Sequence, residues 1–248
     1  MTPPVSPFCS DTAVVLAAGR GVRLKELGTQ IPKGFLRLGT RPIIEESIAR
    51  LRRTGVKRLV IVTGHLEQHY RELAARLGPI ELVHNPRYAD SGSMYSLYLA
   101  REALGAADFL LLESDLIYED RALDAVASHA ARNVLLVSGP TASGDEVYVE
   151  ACDGKLVNLS KQRAEIGTLF GELVGITRVS PPLFDAMLAC AEARFRETLR
   201  MEYEHALVAA ARTVPVDCLL VPDLVWAEID DARHLDRAAR QVYPRIAR

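Results

Sequence analysis

Apolar runs and helical periods alternate along the first half of the chain. "AVVLAA" (13–18) is an unbroken apolar run and predicts a buried strand. "IIEESIARLRRTG" (43–55) sets Ile44, Ile48 and Leu51 at helical spacing, with Gly55 as the stop. "RLVIVTG" (58–64) predicts a second strand, "LEQHYRELAARLG" (66–78) a helix closed by Gly78, and "IELVHN" (80–85) a third strand. "SMYSLYLAREAL" (93–104) predicts one helix with Leu97 and Leu104 on a shared face. "DFLLLESD" (108–115) predicts a fourth strand, "DRALDAVASHAARN" (120–133) a helix and "VLLVSG" (134–139) a fifth strand. Strands that are apolar throughout, separated by helices, predict a parallel sheet covered on both faces. Ligands of such sheets bind beyond the carboxyl ends of the strands.

The pattern changes after residue 140. "EVYVEACDGKLVNLSK" (146–161) alternates around Asp153-Gly154 and predicts a hairpin. "GELVGITRVS" (171–180) predicts another strand, followed by helices over 181–195 and around 198–212. "CLLVPDLVWAEIDD" (218–231) predicts one or two strands, and a charged helix closes the chain. Residues 1–10 carry three prolines and are expected to form a loose tail. The rest, 11–248, is expected to be one α/β domain, with a smaller lid-like insertion over about 140–180.

The composition is 49% hydrophobic and 25% charged over 248 residues, enough for a sizeable core. A net charge of −2 gives no sign of a broad nucleic-acid or membrane surface, though it leaves room for a local anion site. No run reaches the roughly 18–20 apolar residues of a membrane helix. The first residues lack the basic start and apolar core of a signal peptide. Cys9, Cys152, Cys190 and Cys218 are too scattered for a CxxC pair and are expected to be reduced, mostly buried thiols in a cytoplasmic protein. The six histidines show no metal spacing. An apolar helix face within 181–212 is a candidate surface for a homodimer.

The chemistry is concentrated in "LAAGRGVRL" (16–24). Gly19 and Gly21 supply two positions of a dinucleotide GxGxxG, but Leu24 occupies the third, and the second strand ends "VTGH" without the ribose-binding acid. The loop does not match GxxxxGK[ST] either. The remaining readings are a plain strand-to-helix turn, or a phosphate cradle completed by Arg23 and by Lys33 in "IPKGF".

"LAAGRGVRL…IPKGFLRLGTRPIIEESIARL" resembles the signature of nucleotidyltransferases that make activated sugars and activated alcohol phosphates. The sugar-1-phosphate enzymes usually carry Pro-Leu-Thr and Pro-Lys-Pro-Leu where this chain has "KELGTQ" and "PKGF". That departure, with "ESDLIYED", "GDEVYVE", "MEYEHAL" and "WAEIDD", is more similar to 2-aminoethylphosphonate and phosphocholine cytidylyltransferases, over roughly residues 12–240. The resemblance implies a Rossmann-like three-layer fold with a mostly parallel central sheet and a mixed acceptor-side lid. It implies transfer of CMP from CTP to a small phosphonate with Mg²⁺ as cofactor.

Carried over residue by residue, Arg23 faces the β- and γ-phosphates and Lys33 the α-phosphate. Gly19 and Gly21 bring amides to the phosphates, while Leu16, Ala17 and Ala18 line the base and ribose. Asn85, Ser91, Gly92 and Ser93 form the base-reading loop. Asp115 and Asp230 hold Mg²⁺. By charge and ring face, Lys161 could bind the acceptor's phosphonate, and Glu172, Tyr203 and Glu204 its ammonium, with Asp145 and Glu146 as further candidates. Plainer roles stand beside these. Asp115, Asp230, Ser91 or Ser93 could cap helices, Glu204 could be solvated, and Trp226 could be core. Phosphocholine as acceptor, a sugar-1-phosphate, and a non-catalytic nucleotide-binding role are the rivals. A chain with only 6% aromatic residues offers little for the aromatic cage a quaternary ammonium wants.

Overall fold

The computed structural model describes residues 10–246. The expected tail over 1–10 therefore lies, up to residue 9, outside the described residues. The strands are β1 (Thr12–Ala17), β2 (Arg58–Thr63), β3 (Glu81–His84), β4 (Phe109–Glu113), β5 (Leu116–Tyr118), β6 (Val134–Ser138), β7 (Tyr148–Cys152), β8 (Lys155–Ser160), β9 (Leu169–Val179), β10 (Asp217–Val221) and β11 (Trp226–Glu228). The helices are α1 (Glu26–Gln30), α2 (Ile43–Arg53), α3 (Glu67–Leu77), α4 (Ser93–Leu99), α5 (Arg101–Leu104), α6 (Arg121–Ser128), α7 (Pro181–Phe195), α8 (Tyr203–Ala211), α9 (Ala232–Arg237) and α10 (Tyr243–Ile246).

Among the described residues one sheet runs β3-β2-β1-β4-β9-β6-β10-β8-β7. β1 is parallel to β2 and β4, and β10 to β6, so the sheet is mostly parallel as expected. β9 is the exception in the middle, antiparallel to both β4 and β6. The stretch 140–180 is therefore divided. Its last strand runs through the middle of the sheet, the β7–β8 hairpin joins the same sheet through β9 and β10, and the loop before β7 stands apart. That hairpin turns at Asp153 (φ 49°) and Gly154 (φ 72°), the left-handed pair a two-residue turn requires.

Alternation along β1 divides the core. Val14 and Leu16 pack with α4, α7 and α8 on one face, while Ala13, Val15 and Ala17 pack with α2, α3 and α6 on the other. Leu183, Phe184 and Met187 of α7 and Ala206 and Leu207 of α8 are buried in the first of these layers. The apolar face expected to serve a dimer is thus covered within the chain. A third cluster joins Leu24, Leu36, Ile117, Ile229 and Val242, and ties the chain's end to the opening loop. None of the helices among the described residues is long and apolar enough to cross a membrane.

Local chemistry explains where the pattern holds and where it bends. α7 begins as the sequence predicts, with Ser180 accepting from Leu183 N and prolines in its first turn. The single helix expected over 93–104 breaks at Ala100, where the amide bonds back to Leu97 O and Arg101 Nη1 takes the Tyr98 carbonyl. "LIY" (116–118) forms a short antiparallel ribbon with β11, too brief to leave a periodic signal. Cys152 is exposed and Cys218 buried, so burial of the thiols is only partial.

Candidate active site

The chain runs outward from β1 to β2 and β3, then returns to β4 on β1's other side, and the crevice at that switch point is where such sheets bind ligands. A cleft of about 520 Å³ opens there. Leu16, Ala17, Ala18, Gly19, Arg23, Lys33, Asn85, Ser91, Gly92, Ser93, Asp115, Lys161, Glu172, Glu204 and Asp230 all line it. Two expected residues do not. Gly21 has φ 61° and starts the tight turn Val22–Leu24, so its glycine serves the backbone. Tyr203 is 1% exposed and donates from its hydroxyl to Glu113 Oε1 at 3.0 Å, so its ring face meets core rather than ligand.

Gly19 differs from Gly21. A Cβ placed there would meet nothing within 4 Å, so no protein packing demands glycine, and the space faces the cleft. Lys33 sits on the short turn Lys33–Phe35, after Pro32. At Gly34 a Cβ would stand 2.9 Å from the Ser114 carbonyl, so glycine lets this turn close on the end of β4. The lysine is thereby brought against Asp115.

Opposite charges then alternate across the cleft. Lys33 Nζ donates to Asp115 Oδ2 at 2.7 Å and to Asp230 Oδ1 at 2.5 Å. Arg23 bridges Asp230 Oδ1 at 2.7 Å and Asp145 Oδ2 at 2.6 Å. Lys161 Nζ closes the row on Asp145 Oδ1 at 2.9 Å. Burial alone would lower the pKa of Lys33, but the charges and acceptor oxygens of Asp115 and Asp230 outweigh it and hold the ammonium above lysine's usual value. Burial would raise Asp145, but Lys161 and Arg23 hold it well below the carboxylate range. Asp231, not Asp230, caps α9, accepting from Arg233 N and His234 N. Asp115 caps no helix, since β5 follows it. Both aspartates are thus free of the plainer role. The buried Asp230 Oδ2 has no partner, and the carboxylates of Asp115 and Asp230, brought together on Lys33, are hard oxygen donors of the kind that suits Mg²⁺.

Glu113 and Glu228 are the residues sequence reasoning missed. Their carboxylates lie with that of Asp115 within 4.8 Å of one another. Burial, then the charges of Glu204 and Asp115, push Glu113 well above the usual range, and burial with Glu113 and Asp115 does the same to Glu228. Burial raises Glu204 to about 7, and its Oε2 has no partner. The signal was available. "ESD" and "EID" share one spacing, Glu-x-Asp, which an extended chain turns to one face. Trp226 is half-buried, packed against the core layer of α2, α3 and α6 as expected, and also lines the cleft with an unpartnered Nε1.

The expected base-reading loop is held from within. Asn85, fully buried, donates to Ser91 Oγ at 3.0 Å and Ser96 Oγ at 2.9 Å. Ser93 does not cap its own helix. Its amide and hydroxyl donate to Glu202 Oε2 at 2.9 and 2.6 Å, and its oxygen accepts from Tyr203 N at 2.8 Å. The N-termini of α4 and α8 thus cap each other. Gly92 has no room for a Cβ because the Met201 backbone lies against it. Thr141 donates from its amide (2.9 Å) and hydroxyl (2.7 Å) to Glu172 Oε2, and Arg237 donates to the Thr141 carbonyl at 2.8 Å.

A crevice at the switch point of a mostly parallel sheet, lined by an open glycine, converging cations and paired aspartates, defines an α/β site for phosphate-bearing ligands. The chain belongs to the MobA-like NTP transferase domain family, whose model matches residues 13–246. It is 35% identical over 160 residues to a CMP-5'-(3-aminopropyl)phosphonate synthase of Streptomyces rubellomurinus, covering 62% of this chain and 25% of that protein. It is 29% identical over 160 residues to a 2-aminoethylphosphonate cytidylyltransferase of Lancefieldella rimae, covering 64% of each. These matches span from a quarter to just under two thirds of the relatives' own lengths. The inositol-1-phosphate CTP transferase from T. maritima superposes with a TM-score of 0.82 at 21% identity, covering 96% of this chain and 97% of that one, which establishes the shared fold.

Proposed function

We propose that this protein is a cytidylyltransferase that transfers CMP from CTP to 2-aminoethylphosphonate and releases pyrophosphate. The observation that carries the reading is one cleft holding both a phosphate cradle and a half-buried group of carboxylates, Glu113, Glu204 and Glu228. The cradle suits a triphosphate, and the carboxylates suit an ammonium with N–H donors. The names of the phosphonate-handling relatives support the same reading.

An ionised phosphonate oxygen attacks the α-phosphorus of CTP. The bond from that phosphorus to its bridging oxygen breaks, and the bonding pair leaves with pyrophosphate. The attacking oxygen carries no proton at neutral pH, so positioning and charge neutralisation supply the catalysis. Lys33 turns from the aspartates to the α-phosphate, and Arg23 to the β- and γ-phosphates. Asp115 and Asp230 would hold Mg²⁺, which supplies further neutralisation of the phosphates. Lys161 meets the phosphonate, and Glu204 with Glu113 and Glu228 accepts from the ammonium. Leu16, Ala17 and Ala18 flank the nucleoside, with the 85–93 loop at the cytosine.

The test is pyrophosphate release with Mg²⁺, crossing CTP, UTP, ATP and GTP with 2-aminoethylphosphonate, 3-aminopropylphosphonate, phosphocholine and glucose-1-phosphate. Release confined to CTP with an aminoalkylphosphonate is expected, and Asp115→Asn abolishes it. Turnover of phosphocholine in preference would overturn the acceptor. Turnover of glucose-1-phosphate would overturn the class of acceptor, and silence in every combination would overturn the reaction.

A further inference from the structure

His234 is a buried titratable group that the reaction above leaves unused. It sits on α9, is 6% exposed, and lines the cleft. Its backbone amide is taken by Asp231 Oδ1 at 2.9 Å, but neither Nδ1 nor Nε2 has a partner. An imidazole always carries at least one N–H donor, and leaving a buried donor unmade costs about 1–3 kcal/mol. In a core, packing would have removed such a group or paired it. At the wall of a cleft the partner can be the ligand.

The neighbours say what kind of ligand atom. Arg237, three residues on and so on the same side of α9, lines the same cleft and donates to the Thr141 carbonyl at 2.8 Å. Thr141 is in turn fixed to Glu172, so the α9 wall is joined to the acceptor half of the cleft. Asp230, with an unpartnered Oδ2 of its own, lies four residues before His234. His234 thus lines the same cleft as Asp230, Arg237 and Glu172, while in the proposed reaction the triphosphate is already served by Gly19, Arg23 and Lys33. The ligand group left without a donor of its own is the attacking oxyanion.

We propose that His234 binds the acceptor, donating a ring N–H to an oxygen of its phosphonate and so orienting the nucleophile. This rests on the cytidylyltransferase reading for the identity of the acceptor and its oxyanion, and on the cleft geometry for the ring's lack of a partner within the protein.

The experiment has a binding and a kinetic readout. In the ¹⁵N-labelled full chain, the His234 ring nitrogens are assigned by comparison with His234→Gln and followed on adding 2-aminoethylphosphonate, inorganic phosphate or Mg-CTP separately. The proposal expects the ring signals to move saturably with 2-aminoethylphosphonate and not with Mg-CTP alone. In turnover, His234→Ala is expected to raise the acceptor KM about tenfold, with the CTP KM within about twofold, and His234→Gln, which keeps an N–H donor, to recover most of the loss. A ring that ignores the phosphonate, or one that answers to Mg-CTP alone, overturns the proposal. So does an equal rise in both KM values with no rescue by Gln, which marks a packing role. If the wild type binds 2-aminoethylphosphonate at the ring yet releases no pyrophosphate, the function reading falls and the His234 assignment stands. If it turns over while the ring stays silent, the reverse holds.

Discussion

The ammonium of Lys33 stands 2.7 Å from Asp115 and 2.5 Å from Asp230, joining two carboxylates that lie 82 and 197 residues away in sequence. Lys33 thus occupies the position between the aspartates that a divalent cation would share. Lys33→Met leaves two buried carboxylates facing each other. The expected result is a fall in kcat of about 10²–10³-fold and a loss of about 3 kcal/mol in stability at neutral pH, read by steady-state pyrophosphate release and by denaturant unfolding. A stability loss without a kcat loss would make the lysine structural only.

Glu204 sets a pH dependence. Its carboxyl is raised from 4.5 to about 7 in the folded chain by burial. Between those values the unfolded chain has lost the proton and the folded chain still holds it, so stability falls as pH rises through that window and levels off above it. The difference amounts to about 3 kcal/mol. Glu204→Gln, which carries no titrating proton, should match the wild type near pH 4 and exceed it at pH 8, checked by urea unfolding at both. A variant no more stable at pH 8 would contradict the shift.

Asp145 holds both Arg23 and Lys161, the cations that the proposed function gives to nucleotide and acceptor. Asp145→Asn removes the charge that holds Lys161 and one of the two that hold Arg23, leaving Arg23 on Asp230 alone. The KM for CTP is expected to fall severalfold at low ionic strength, with the advantage shrinking as salt screens the half-exposed arginine. An unchanged KM at every salt concentration would show that the bridge does not restrain Arg23.

The crossed caps of α4 and α8 make a third site sensitive. Ser93→Ala removes the acceptor for Tyr203 N and the donor to Glu202, at a cost of about 1 kcal/mol. Gly92→Ala forces a methyl group against the Met201 backbone, at a cost of about 1–3 kcal/mol. Thermal unfolding should rank Gly92→Ala below Ser93→Ala, and the reverse order would locate the strain elsewhere.

Much of this architecture was written locally. The "AVVLAA" run, the Asp153-Gly154 turn and the Ser180-Pro181-Pro182 start each fix their element through a few adjacent residues, and the structure follows them. The placement of Asp115, Asp230 and Lys33 in one cleft came from a family signature, because no local pattern brings such distant segments together. What escaped was likewise long-range. Glu113 and Glu228 become neighbours only because β5 pairs with β11, a ribbon of three residues a side. Tyr203 turns inward because its hydroxyl has Glu113 to reach. The serine of a helix start served another helix, a pairing invisible from either segment alone.

β9 has a geometrical consequence for the cleft. It is hydrogen-bonded to β4 over Ile176–Val179, to β6 as far back as Glu172, and to β7 over Leu169–Glu172. One continuous strand therefore carries the acceptor wall and braces the strand whose end bears Glu113 and Asp115. Swinging β4 away from β6 would mean breaking the pairings of this shared strand, so the two sides of the cleft that it joins are tied together as a crossbeam ties two posts.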